Sequence, residues 1–372
     1  GPGFYEGNIA ISKPLTLRAS GKGVVIHGDG TGSVITVTAS YVTVDGLTIE
    51  NSGPKHQTVD AGITVRGADN VKILRNRIRD CLFGVNFEQT NRSVIEDNDI
   101  TSLPVSLGLK GDGIRLWYSH GNLIRMNRTR YVRDNVFWYS SANKIYENSG
   151  ADSRYSLHFM YADRNEILSN DYRRNSVGIF LMFSQGSTLK RNFVADSTGP
   201  FGIGIGMKES SDILVEENQI LYNARGFYLD SSPYQPGTLN TFRGNEINFN
   251  TTAFLLHGTL LPSLFESNVF KGNIEDVAND TSESKLEINT WRSNYWDNYE
   301  GFDRNDDGYG DIPHEQWMYA DRIWSYLPAA KFFYASPVLD FMNFLWRLMP
   351  FSEPVLLARD ARPQIRERGT EK

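Results

Sequence analysis

The sequence predicts an all-β chain wound as a parallel β-helix of about 22 residues per coil, with a short apolar C-terminal tail outside the repeat. Two recurrences and one contrast carry this reading. Asparagine, usually followed two positions on by an apolar or aromatic residue, returns at Asn76, Asn98, Asn127, Asn148, Asn170, Asn192, Asn218, Asn245, Asn268 and Asn294, with differences of 22, 29, 21, 22, 22, 26, 27, 23 and 26. A second marker, usually glycine before an apolar residue, opens each unit at Gly62, Gly84, Gly113, Asn135, Ser156, Gly178, Gly204, Gly226 and Ala253. From this marker to the next asparagine the distance is 14 residues in six of nine units, and 13, 19 and 15 in the others. The contrast is with helices and leucine-rich repeats: the runs are short, β-branched and bounded by turn residues, and no leucine consensus recurs.

Asparagine suits such a coil because its amide can stack on the same residue one coil away and hydrogen-bond to it, in a turn that tolerates left-handed geometry. Before Gly62 the coils are less regular, but residues 9–17, 24–26, 34–37 and 42–49 keep strand alternation. Extra residues fall at 101–111, 195–202 and 231–239, where insertions would project as loops from the solenoid. The organisation expected is a β-helix over 1–290, a C-terminal cap over 291–330, and an apolar, then basic, tail over 331–372 that docks a membrane partner.

Strand alternation assigns side chains to the two faces. Counting from the marker, offsets one and three face inward; the third-offset column includes Leu116, Trp138, Phe159 and Leu181. Offsets two and four face outward and bring His158, Met160 and Met182 onto one face beside Trp117, Phe137, Tyr139 and Phe180. Successive members of a column lie about 4.8 Å apart, so Met160 sits over Met182, with His158 about 7 Å along the strand from Met160. A lone Met or His is usually structural, but an apolar outward column calls for an occupant. Thioethers with an imidazole suit Cu(I), held transiently for want of a thiolate. The aromatic strip equally suits a protein partner or a sugar chain. An acid–base enzyme would need a set such as Arg115, Lys208, Asp230 and His257, of which Lys208 and Asp230 read as well as an ion pair.

Downstream, Asp303, Asn305, Asp307 and Asp311 occupy positions 1, 3, 5 and 9 of a calcium-loop pattern, with Gly308 at 6 and His314 where a bidentate glutamate would stand. The expectation is a structural Ca²⁺ or, failing that, a hydrogen-bonded polar cap over Trp291, Tyr295, Trp296 and Tyr299. Residues 337–350 (PVLDFMNFLWRLMP) form a proline-bounded apolar helix, and Phe341, Phe344, Leu345, Trp346 and Leu348 are its partner-binding candidates. It is too short to span a bilayer and too apolar for water, so it either packs back onto the β-helix as a cap or, the preferred reading, docks to a membrane surface or membrane-protein partner. A basic end with Arg359, Arg362, Arg366 and Arg368 follows.

A net charge of −6 and a pI near 5.6 argue against a general nucleic-acid binder. Cys81 is alone, so there is no intramolecular disulfide and no thiolate cluster for zinc. The chain opens on Gly1-Pro2-Gly3-Phe4-Tyr5 without a basic and apolar leader, which predicts a cytosolic protein or the mature form of an exported one.

Several of these segments together resemble the NosD family of periplasmic maturation proteins of nitrous oxide reductase. They are Phe4-Tyr5-Glu6-Gly7, Lys13-Pro14-Leu15-Thr16-Leu17, Arg154-Tyr155-Ser156-Leu157-His158-Phe159-Met160-Tyr161, Leu181-Met182 and Asn294-Tyr295-Trp296, then Gly301-Phe302-Asp303 through Pro313. The resemblance implies a right-handed helix, periplasmic placement, attachment to the inner membrane through a transporter, and no catalysis. Its implied partners are the permease and ATPase of an ABC transporter, a copper-chaperone lipoprotein, and nitrous oxide reductase, whose copper–sulfur centre is being built. The apolar tail would engage the permease. The alternative from another class is a carbohydrate-active β-helix enzyme, a polysaccharide lyase or epimerase.

Overall fold

The computed structural model describes residues 1–318, 333, 336–348 and 354–366. The chain winds as a right-handed parallel β-solenoid of about 13 turns, with about 23 residues per turn. Each turn lays one short strand in each of three sheets, which contain 13, 12 and 14 strands among the described residues and are parallel but for the last strand of the third. We call them A, B and C in the order the chain visits them. Ile, Val, Leu and Phe fill the triangular interior, and Ile63, Val85, Phe87, Phe159, Ile179, Leu181 and Phe227 are fully buried.

The two sequence markers sit at two corners of this triangle. At the turn from sheet C to sheet A, each ladder asparagine donates from Nδ2 to the Oδ1 of its counterpart in the next coil, at 2.9 to 3.1 Å from Asn76 through to Asn294. The same Oδ1 also accepts the main-chain N–H of the preceding asparagine, and the second amide hydrogen goes to a backbone carbonyl. Buried amides are therefore fully paired, the condition under which burying them is not penalised. The left-handed residue of the turn is the one before the asparagine, as at Arg75, Asp97, Met126, Glu147, Ser169, Arg191 and Glu217, not the asparagine itself. At the turn from A to B, the glycine marker answers a lack of space. A Cβ on Gly178 would lie 2.3 Å from Val194 Cγ1, and one on Gly84 2.4 Å from Ile100 Cγ2.

One coil departs from the expected alternation. The register shifts between Asp134 and Val136, so that Val136 pairs with His158, Phe137 with Phe159 and Trp138 with Met160. Phe137 therefore faces inward, fully buried and stacked on Phe159 at 4.8 Å, while Trp138 faces outward and is half-buried. The assignment of Phe137 to the outer face, and of Trp138 to the core, is corrected accordingly. The cause is Asn135. Its side chain takes the place of a peptide group in the main-chain hydrogen bonding between coils, with Oδ1 accepting from Ile114 N at 2.9 Å and Nδ2 donating to Ser156 O at 2.8 Å.

The C-terminal boundaries also move. The parallel coil continues through Thr290–Arg292 and Tyr295–Trp296, and the strand Val355–Asp360 then returns to sheet C. It meets Thr290–Arg292 in parallel at Trp291 and Asp360 and runs antiparallel to His314–Met318. Part of the supposed docking tail, including Arg359, is thus the lid of the solenoid, and its Leu357 and Ala358 are buried in the core. An uncovered final coil would expose Trp291, Trp296 and an unpaired strand edge. Arg368 lies outside the described residues.

Candidate functional site

The central coils of sheet B hold the richest chemistry. In register across coils, one outward column reads Trp117, Trp138, Met160, Met182, Lys208, Asp230 and its neighbour reads His158, Phe180, Gly206, Tyr228. Strand pairing thus sets Met160 against Met182 as expected. His158 Nε2 lies 3.2 Å from Met182 Sδ. The imidazole is stacked on Tyr155 at 4.7 Å, and its side chain is only 13% exposed, so the trio is half-buried and not the open patch expected.

Beneath His158 lies a buried ion network. Its Nδ1 is 3.9 Å from Asp134 Oδ2, and Arg154 clamps the same carboxylate through Nε, at 2.9 Å, and Nη2. Burial would raise the Asp134 pKa, but the hydrogen bonds from Arg154 outweigh it and hold the carboxyl below its usual range. Arg133 holds Asp112 through one oxygen, Nε and Nη2 both donating to Oδ1 at 3.1 and 2.9 Å. There burial prevails and pushes the pKa up to about 6. With Nδ1 turned to an anion and Nε2 to a thioether, two σ-donor atoms converge on one point, which fits a soft cation. Among the described residues no three His, Cys, Asp or Glu side chains gather to hold a metal ion. A metal at this site would therefore rest on thioethers with a single imidazole.

The aromatic strip is wider than expected. Tyr118, Tyr139, Tyr161 and Phe183 stack at the B–C turns of successive coils, with ring centroids 4.8, 5.1 and 4.9 Å apart. Trp117 abuts Trp138 and Tyr139. Phe180 keeps its outward position but is 8% exposed, folded over Gly206 and packed with Val177, Ile203 and Tyr155, so it offers little surface to a partner. Of the expected acid–base set, Lys208, Asp230 and His257 follow one another in register on successive coils, while Arg115 stands coils away; Lys208 pairs with Asp230 at 3.2 Å, His257 with Asp280 at 2.7 Å, and Arg115 with Asn86 at 2.9 Å.

The acidic loop closes on itself. Asp303 accepts from the backbone N–H groups of Asp307 and Gly308 at 3.2 and 2.8 Å, Asn305 and Asp307 bond each other, Asp311 accepts from Arg304 N, and Arg362 pairs with Asp307 at 2.8 Å. These hydrogen bonds and the Arg362 guanidinium order the loop around Gly308. The helix Pro337–Leu348 exposes Val338, Phe341, Phe344, Leu345 and Leu348 by 41 to 69%. The side chain of Trp346 lies outside the described residues. Among the described residues no helix is long and apolar enough to cross a membrane.

Residues 101–301 match the family described as periplasmic copper-binding protein (NosD), and residues 15–186 match the right-handed β-helix region. The chain belongs to the NosD family. Two NosD relatives, each named a probable ABC transporter binding protein, are 28% identical: that of Pseudomonas aeruginosa over 98% of this chain and 87% of its own, and that of Stutzerimonas stutzeri over 94% and 82%. The periplasmic alginate epimerase AlgG superposes with a TM-score of 0.53 at 14% identity, covering 75% of this chain and 78% of its own, which shows a shared fold alone. The NosD match spans His158, Met160, Met182 and Trp138 and stops short of the apolar helix. Trp138, Tyr118, Tyr161, Phe183, Tyr155 and Asp134 are site residues that sequence reading missed. A unit opened at Asp134 would have restored the usual 14-residue spacing to Asn148 and put Trp138 outside.

Proposed function

We propose that this chain is a periplasmic carrier of Cu(I), taking the ion from a copper-chaperone lipoprotein and presenting it for assembly of the copper–sulfur centre of nitrous oxide reductase. The observation that carries this is the convergence of His158 Nε2 on Met182 Sδ at 3.2 Å, beside the in-register Met160. Soft and borderline donors without a thiolate hold a soft ion reversibly, as a carrier must. Flexible thioethers can close on the ion or release it, and Asp134 positions the imidazole. The family's description as copper-binding, and the relatives' name as ABC transporter binding proteins, support cargo and partner respectively. The transporter permease is assigned the exposed apolar face of Pro337–Leu348, through which the protein is held at the inner membrane with the ATPase behind it.

Anaerobic Cu(I) titration of the wild type against a Met160→Ala, Met182→Ala double variant tests the cargo. The double variant should lose at least tenfold in affinity, an expected loss of about 1.4 kcal/mol or more. Equal binding would make the patch a docking surface only. Turnover of alginate or another acidic polysaccharide would instead favour the carbohydrate enzyme.

A further inference from the structure

Trp138 follows Trp117 and precedes Met160 and Met182 in one outward column of sheet B. The direction of its ring can be read from its neighbours. Tyr139 lies between Tyr118 and Tyr161 of the coils before and after, with planes within 13° and 10° of theirs, so these rings turn their faces along the solenoid axis. The Trp138 plane is 17° from that of Tyr139, so the indole also turns its faces towards adjacent coils. On one side stands Trp117, nearly perpendicular at 78° and 4.8 Å. The opposite face looks to the following coil, where the residue in register is Met160. Nor is the indole held by its polar handle: Nε1 is buried without a hydrogen-bond partner, whereas buried tryptophans usually find one.

We propose that Trp138 closes the copper site with the face of its indole, and so selects a monovalent soft cation. The inference rests on the copper reading of His158, Met160 and Met182. A ring face attracts a cation by its quadrupole, most strongly for tryptophan and most where water is excluded. It offers no lone pair to replace the tightly held water of a divalent ion, whereas Cu(I), satisfied by an imidazole and thioethers, needs only shielding and a diffuse negative surface. The site then has donors on one side and a π wall on the other, against which the ion is protected from solvent but not covalently locked.

The test is optical as well as thermodynamic. Wild-type protein is titrated anaerobically with Cu(I) against a chromophoric chelator, and in parallel with Ag(I) and Zn(II), while near-UV absorbance and tryptophan emission are followed. Cu(I) and Ag(I) should perturb the indole band and quench emission; Zn(II) should do neither. Trp138→Leu should abolish the optical change and weaken Cu(I) about tenfold, with Trp138→Phe in between because a weaker π face remains. Should the leucine variant fail to fold by circular dichroism, the phenylalanine variant decides. Cu(I) binding to the wild type without any indole response, or unchanged affinity in both variants, overturns the role of Trp138 and leaves the copper reading standing. Absence of Cu(I) binding to the wild type overturns both.

Discussion

Gly206 decides where Phe180 goes. A β-carbon there would lie 2.3 Å from two atoms of the Phe180 ring, so the ring lies over the glycine, and Met182 packs against the cluster that Phe180 forms with Val177 and Ile203. Gly206→Ala should lower stability by about 1–3 kcal/mol in urea unfolding and weaken Cu(I) binding by pushing the ring towards Met182. His314 gives a second residue-scale expectation. Burial pulls its pKa down to about 4, against 6.5 when unfolded, and its ring stacks on Trp296 at 4.7 Å. Above pH 6.5 both states are neutral and nothing is lost. Between pH 6.5 and 4 the unfolded chain takes up the proton and the folded chain does not, so stability falls as the pH drops through this window. The loss should be on the order of 3 kcal/mol, and His314→Gln should flatten it in thermal melts at pH 4, 5, 6 and 7. At this scale the sequence was legible where alternation held, as at His158, Met160 and Met182. It misled where one side chain replaced main chain. Asn135 supplies a side-chain amide to the main-chain hydrogen bonding between coils and shifts Phe137 and Trp138 by one place, which exchanges core for surface.

Among the elements, the asparagine ladder was readable because its chemistry recurs: from Asn76 to Asn294 successive coils place the same buried amide in the same corner. The closing strand Val355–Asp360 was not, since it joins sheet C only after the long excursion that follows Trp296. Its last residue ends the ladder. Asp360 accepts from Ser293 N at 3.0 Å, from Asn294 N and Nδ2 at 2.8 and 2.9 Å, and from Trp296 Nε1 at 3.4 Å. Asp360→Ala strands these donors and should cost about 2–4 kcal/mol, whereas Asp360→Asn keeps one acceptor oxygen and should cost less than half as much, measured by urea unfolding. Equal losses would make Asp360 a packing residue.

For the whole molecule, the lid strand Val355–Asp360 and the apolar helix Pro337–Leu348 are separate elements and can be tested apart. Truncation after Ser336 removes Val355–Asp360 with the helix and should destabilise the final coils. Replacing Phe341, Phe344, Leu345 and Leu348 by serine leaves the lid in place. That variant should melt within a few degrees of the wild type yet no longer co-purify with the transporter permease; retained co-purification would move the docking surface elsewhere. The ladder that ends at Asp360 also gives the solenoid a direction. From Asn76 to Asn294 every side-chain amide points its N–H towards the C-terminal end and its oxygen back towards the N-terminal end. Aligned dipoles of this kind add as peptide dipoles do in an α-helix, leaving partial positive charge where the donors emerge. An asparagine at position 360 would pass that charge on to another unmet N–H; the carboxylate, which has no N–H to offer, neutralises it, so the ladder ends there as an electrostatically closed rod with its one full negative charge at its positive pole.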